Sequence, residues 1–282
     1  MTYENILINL KSVFVKHAMS RIILVAAIFG ISILTAAVGR GGGNFYVPVL
    51  VATGIPVHQA ATVAQLLLFG TAASALLVFG VRRTVDWKLA LVIDPATDLM
   101  ALVGGYFAHR FSGGTLKIAL AALLAAAGVL MFFSVKGVTH ERRHGIGWWH
   151  RSFAQYSYTV NLWITIPATA LIGFISGMVG ISGGSFKIPL MVLVCGVPMR
   201  IAVGTSSAMV AATALAGFVG HAAGGDVVST GSMFLLAAVA VVGGLLGGVV
   251  SLKTKPERLK TLFAVSTLMA SAFMVFNVWT TH

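Results

Sequence analysis

The chain has 282 residues, of which 58% are hydrophobic and only 9% charged, and 19 Lys and Arg stand against 7 Asp and Glu for a net charge of +12. A soluble domain carries roughly 25% charged residues, so this chain has too few to coat a water-exposed surface, and its one cysteine excludes a disulfide scaffold. The apolar content excludes disorder and leaves an integral membrane protein, with apolar runs long enough for helices rather than barrel strands.

Residues 1–19 place Ile6, Leu7, Leu10, Val13 and Phe14 at helical spacing, with Lys11 and Lys16 among them. That pattern predicts an interfacial amphipathic helix, not a cleavable peptide. Apolar segments then follow at 20–38, 45–53, 59–80, 88–108, 115–134, 161–179, 186–196, 201–222, 230–252 and 259–279. Most approach the roughly 20 residues that span a bilayer as a helix. Segments 45–53 and 186–196 are shorter, and both are bracketed by Gly and Pro.

The two short segments are related. Gly42-Gly43 aligns with Gly183-Gly184, Phe45 with Phe186 and Pro48 with Pro189. With one inserted residue, Pro56 aligns with Pro198 and Ala60 with Ala202. Gly104-Gly105 with Leu116-Lys117 matches Gly247-Gly248 with Leu259-Lys260. The expected fold is an all-α polytopic membrane protein of two homologous repeats, 20–135 and 160–282. The basic, aromatic stretch 136–159 joins them, with Trp148, Trp149, Tyr156 and Tyr158 as interfacial anchors.

Basic residues come in short clusters between the apolar runs, such as Arg82-Arg83, Arg142-Arg143 and Lys253 with Lys255. Cytoplasmic loops explain this better than a nucleic-acid surface. The same bias arbitrates the repeat orientation. Five segments per half, with inverted copies, put the basic loops 81–88, 136–158 and 253–260 inside and only Arg110 and Lys117 outside. Parallel copies, with each short segment dipping in and returning, divide the basic residues almost evenly. The rule therefore favours inverted repeats of five segments each, with both termini outside. The basic N-terminal tail pulls against that choice.

The breaks carry the chemistry. Gly39-Arg40-Gly41-Gly42-Gly43-Asn44 and Gly180-Ile181-Ser182-Gly183-Gly184-Ser185 would unwind a helix inside the membrane. Such breaks survive only where the freed backbone is buried or lines a wet cavity. A helix restarting there aims its free amides and positive dipole end at the gap, which attracts anions. Two such ends meeting at a pseudo-twofold axis would make a midplane anion site. Hydroxyls and amides cluster nearby: Asn44, Ser182, Ser185, Thr205 and Ser206, with Gln65 as the first-copy counterpart. Glycines at 243, 244, 247 and 248 read instead as close helix packing. There is no Walker or dinucleotide-binding loop.

The doubled motif, Gly41-Gly42-Gly43-Asn44-Phe45-Tyr46-Val47-Pro48 and Gly183-Gly184-Ser185-Phe186-Lys187-Ile188-Pro189 with Ala202-Val203-Gly204-Thr205-Ser206, resembles the TauE/SafE sulfite exporter family. The first half departs from it, with Ala61-Thr62-Val63-Ala64-Gln65 where Gly-Thr-Ser would stand. The resemblance covers nearly the whole chain outside the tail and linker. It implies export of sulfite or small organosulfonates such as sulfoacetate, driven by an ion gradient.

Arg40 in the first break, and Asp94, Asp98 and Lys187 inside the apolar runs, are the charges of interest. Arg40 either binds an oxyanion bidentately, or lies at the interface, or pairs with a carboxylate. Lys187 is a weaker version of the same idea. Asp94 and Asp98, four residues apart on one helix face, are either proton carriers or a structural pair bonded to a neighbouring helix, to Arg40 or to Lys187. His140 and His144 share the linker without a third metal ligand at convincing spacing.

The sequence thus predicts a secondary transporter of a small anion in the inner membrane, working by alternating access. Its substrate would be held by Arg40, Gly41, Gly42, Gly43, Asn44, Gln65, Ser182, Gly183, Gly184, Ser185, Thr205 and Ser206. An anion channel, or an importer of another small anion, is the alternative; neither a nucleophile nor a metal set suggests an enzyme. No cofactor is implied. The expected partners are the anion, protons and the lipid bilayer, with a homodimer left open.

Overall fold

A computed structural model describes residues 22–55, 57–107, 145–179, 184–223 and 231–280, with isolated positions between 121 and 129. Its helices are α1 Ile22–Ala37, α2 Gly43–Ala52, α3 Val57–Val81, α4 Trp87–Phe107, α5 Leu162–Val179, α6 Gly184–Pro189, α7 Met199–Ala223, α8 Gly231–Lys253 and α9 Pro256–Thr280. Beyond Pro189, α6 runs on as a π-helical stretch, Leu190–Val194. Proline there removes an N–H and crowds the preceding turn, which loosens the helix into the wider form. Each expected segment coincides with a helix except 115–134, most of which lies outside the described residues, as do 1–19 and the first part of the linker. Three spans, Thr62–Val81, Met199–Val219 and Met233–Lys253, are long and apolar enough to cross a bilayer. The outer surface is correspondingly apolar, with Leu77, Val81, Phe234 and Phe276 all exposed.

Close backbone approach sets how α8 packs. A Cβ on Gly244 would stand 2.4 Å from the Thr71 carbonyl oxygen of α3, and one on Gly247 2.4 Å from the Ile33 carbonyl oxygen of α1. The glycine pairs of α8 therefore let it wedge between α1 and α3, as the packing reading of these glycines predicted. Helix α2 turns back along α1, where the Tyr46 hydroxyl meets Ser32 Oγ at 2.8 Å and Thr71 Oγ1 of α3 at 2.8 Å. Likewise α6 turns back along α5, bringing Cys195 Sγ within 3.5 Å of Thr165 Oγ1.

The expectation of an all-α chain needs one correction. Trp148–Phe153 (β1) and Tyr156–Asn161 (β2) form an antiparallel hairpin. Trp149, Arg151 and Phe153 alternate to one face and pair across with Val160, Tyr158 and Tyr156. The two-residue turn uses Ala154 at φ 53°, so it lacks the Asn-Gly or Asp-Gly signature that would mark a hairpin. Tyr158, expected as an interfacial anchor, is instead buried. Its neighbour Tyr156 is exposed, and Trp148 and Trp149 are half-buried.

The hairpin, the α3–α4 loop and the α8–α9 loop gather at one end of the bundle. Arg151 of β1 reaches Asp86 before α4 at 2.8 Å. Arg200 at the start of α7 donates to the Thr254 carbonyl between α8 and α9 at 3.1 Å.

Candidate functional site at the helix breaks

The first break follows from three glycines. Gly39, Gly41 and Gly42 hold φ of 72°, 76° and 94°, a left-handed region that costs other residues roughly 1 kcal/mol or more each. The chain therefore leaves α1, reverses and restarts as α2 at Gly43. Arg40 sits inside this reversal and is almost fully buried, with 2% exposure. Its Nε donates to Ser185 Oγ at 3.0 Å and its Nη1 to Ser266 Oγ of α9 at 3.0 Å. The guanidinium also lies over the rings of Phe45 and Phe263, at 6.0 and 5.4 Å from their centroids, a stacking that suits a delocalised cation.

Gly184 and Ser185, at the start of α6, meet the first break. A Cβ on Gly184 at the start of α6 would lie 3.0 Å from the Arg40 carbonyl oxygen and 2.7 Å from Val210 Cγ2 of α7. Helix α7 backs the junction. Ser206 Oγ donates to the Gly39 carbonyl at 2.9 Å, and Gly41 packs against Val210 and Leu68. Arg40, Gly41, Gly184, Ser185 and Ser206 therefore share one buried site. Gly42 lies against Thr35 and Tyr46 just behind it, and Gly43 opens α2. Asn44 lies in the first turn of α2, but its side chain is outside the described residues, as are Ser182 and Gly183.

Two expected members lie elsewhere. Thr205 Oγ1 accepts from the backbone N–H of Asp86 at 3.0 Å, on the side of α7 that faces the start of α4. Gln65 is buried against Gly217, farther along α7.

Next to the junction runs a second polar path. Lys187, one turn beyond Gly184, is fully buried and forms an ion pair with Asp94 of α4. Its ammonium also reaches Thr213 Oγ1 of α7 at 3.5 Å, and that hydroxyl donates to Asp98 Oδ1 at 2.6 Å. Asp94 and Asp98 thus share a face, as their spacing required. Among the alternatives left open for them, the structure selects Lys187 as the cation. Arg40 is buried within the protein, with Ser185 and Ser266 among its partners.

A third cluster organises the basic end. Asp86 Oδ1 accepts from the Lys88 and Leu89 amides at 3.1 and 3.2 Å, capping α4. Arg151 closes on the same carboxylate in a fork, Nε to Oδ2 at 2.8 Å and Nη2 to Oδ1 at 3.0 Å, and Tyr158 donates its hydroxyl to Oδ2. Burial pushes the Asp86 carboxyl up, but the bonds from Arg151, Tyr158 and the Leu89 amide outweigh it and hold the group below the ordinary aspartate value. Burial and then the Asp86 bond and charge push the Tyr158 phenol well up. Through Thr205, this cluster ties the hairpin, α4 and α7 together. Among the described residues no group of three His, Cys, Asp or Glu could hold a metal.

Sequence reasoning missed Ser266, Thr213, Asp86 and Arg151 as partners. Ser266 and Thr213 are single hydroxyls in apolar helices, a residue type that usually bonds back to its own helix. Asp86 stood unremarked in a basic loop.

A model of the family described as "Sulfite exporter TauE/SafE" matches residues 24–274. The chain belongs to that family. Similar curated proteins are a "Probable membrane transporter protein YunE" of Bacillus subtilis, 24% identical over 275 residues that cover 92% of this chain and 98% of the relative, and a "Probable membrane transporter protein" of Xylella fastidiosa, 34% identical over 116 residues covering 41% and 44%. No solved structure matches. As a TauE/SafE member the chain is a membrane transporter, in keeping with its candidate spans.

Proposed function

We propose that this transporter exports a small sulfur oxyanion, sulfite or an organosulfonate such as sulfoacetate, across the inner membrane by alternating access, coupled to an ion gradient. The observation that carries the proposal is Arg40: a guanidinium buried where the first glycine break meets the start of α6, with hydroxyls of α6 and α9 accepting from Nε and Nη1. Burying such a charge is costly, and a tetrahedral or pyramidal oxyanion accepting the same fork would offset the cost. Ser185 and Ser266 are neutral hydroxyls that a bound anion could displace from the guanidinium.

The pair Lys187–Asp94 is the proposed coupling element. A proton on Asp94 would leave the Lys187 ammonium, two residues from Ser185, in need of an anion. Proton occupancy and anion occupancy would then be linked. Asp98 would communicate through Thr213.

Inverted repeats of five segments would supply the moving halves. The gathering of the hairpin, the α3–α4 loop and the α8–α9 loop at one end supports that arrangement, because Arg82, Arg83, Lys88, Arg151, Lys253, Lys255, Arg258 and Lys260 in or beside these loops would together face the cytoplasm.

The test is flux in proteoliposomes with sulfite, sulfoacetate, taurine and sulfate, with and without a pH gradient. Saturable flux of sulfite or a sulfonate that responds to the gradient supports the proposal. Failure of all four substrates removes the substrate assignment. Gradient-independent flux removes the coupling and favours a channel.

A further inference from the structure

We propose that the basic end of the bundle carries a binding site for the headgroup of an anionic phospholipid, separate from the Arg40 junction. The ends of α3 and α8 and the start of α7 enclose an open cavity of about 690 Å³. Arg82, Arg200 and Lys253 line it, together with Thr84, and no Asp or Glu is among its lining residues. Arg82 and Lys253 are solvent-exposed and stand on different helix ends, so a single phosphate between them meets cations from two sides. Arg200 spends Nη2 on the Thr254 carbonyl, while its buried Nε has no hydrogen-bond partner among the described residues. An unsatisfied buried donor costs about 1–3 kcal/mol, and a phosphate oxygen would satisfy it.

The remaining wall decides between a lipid and a free anion. Leu77 and Val81 of α3 line the cavity and are 68% and 83% exposed. They continue the outer apolar surface of the bundle into the basic pocket. A free oxyanion has no use for that wall, whereas an acyl chain lies along it while its phosphate meets the cations. Basic pockets between helix ends on the cytoplasmic face suit such headgroups.

The test uses the full chain in detergent micelles, titrated with phosphatidylglycerol or phosphatidylcholine and read by native mass spectrometry. Wild type should retain phosphatidylglycerol selectively. The double variant Arg82→Gln/Lys253→Gln should bind it about 30-fold more weakly, at roughly five-fold per cation, while Arg82→Lys should keep most of the affinity. Both side chains are exposed, so the fold does not depend on them. Equal retention of phosphatidylcholine overturns the proposal, as does unchanged affinity in the double variant. Displacement of the lipid by millimolar inorganic phosphate also overturns it, by assigning the cavity to a free anion.

Discussion

Replacing Asp94 by Asn would leave the Lys187 ammonium buried without its counter-ion. Lys187 has no exposed side-chain surface and Asp94 only 10%, so water cannot take over. Breaking a buried pair from one side costs about 3–5 kcal/mol. At about 2–4 °C per kcal/mol, melting in detergent micelles should fall by on the order of 10 °C. Lys187→Met, which strands the carboxylate instead, should fall by a similar amount. Removing both charges together is roughly neutral in comparable buried pairs, so Asp94→Asn/Lys187→Met should melt close to the parent. The double-mutant cycle would then give a coupling of several kcal/mol. In flux assays the double variant should be folded yet insensitive to a pH gradient. Single-variant losses that simply add, or a double variant that keeps the full gradient response, would refute the reasoning.

Arg40→Lys keeps the charge but not the fork, and should weaken substrate binding about ten-fold or more while Ser266→Ala costs less; competition flux assays would measure both. Gly244→Val would drive a side chain into the Thr71 carbonyl, 2.4 Å from the first carbon alone, and should abolish folded protein in size-exclusion profiles. Gly80→Ala, with nothing within 4 Å, should be silent in the same profiles. Gly184→Ala should separate the two breaks, since its methyl would meet Val210 and the Arg40 carbonyl, and should lower transport more than stability. Asp86 is held below its ordinary value of 3.8, so its contribution is present above that pH and is lost as pH falls through the lower folded value. Melting curves of Tyr158→Phe and Arg151→Gln should therefore lie below the parent at neutral pH and converge with it in strong acid. A separation that persists unchanged at pH 2 would contradict the cluster as drawn.

Helix positions were readable because apolar run length and Gly/Pro punctuation are local signals. Both short segments and the first break could be placed to within a few residues. The breaks also announced themselves as a pair, because a duplicated Gly-Gly beside proline is rare by chance, and Arg40 and Ser185 do meet. What could not be read was which side chains face each other across helices. Asp94 and Lys187 are 93 positions apart in the chain, and α4 offers several faces to its neighbours. Thr205 looked like a companion of Ser206, but adjacent residues on a helix point about 100° apart. One therefore reaches Gly39 and the other Asp86. The hairpin escaped because its turn lacks glycine and its strands mix aromatic, basic and hydroxyl residues.

The central claim is that the breaks bind a sulfur oxyanion for transport. The most direct measurement is saturable sulfite and sulfoacetate flux in proteoliposomes, comparing wild type with an Arg40→Gln variant shown to be folded. Robust wild-type flux that collapses in the variant is the expected result. Wild-type flux absent for both anions, or flux that survives Arg40→Gln with unchanged affinity, would contradict it.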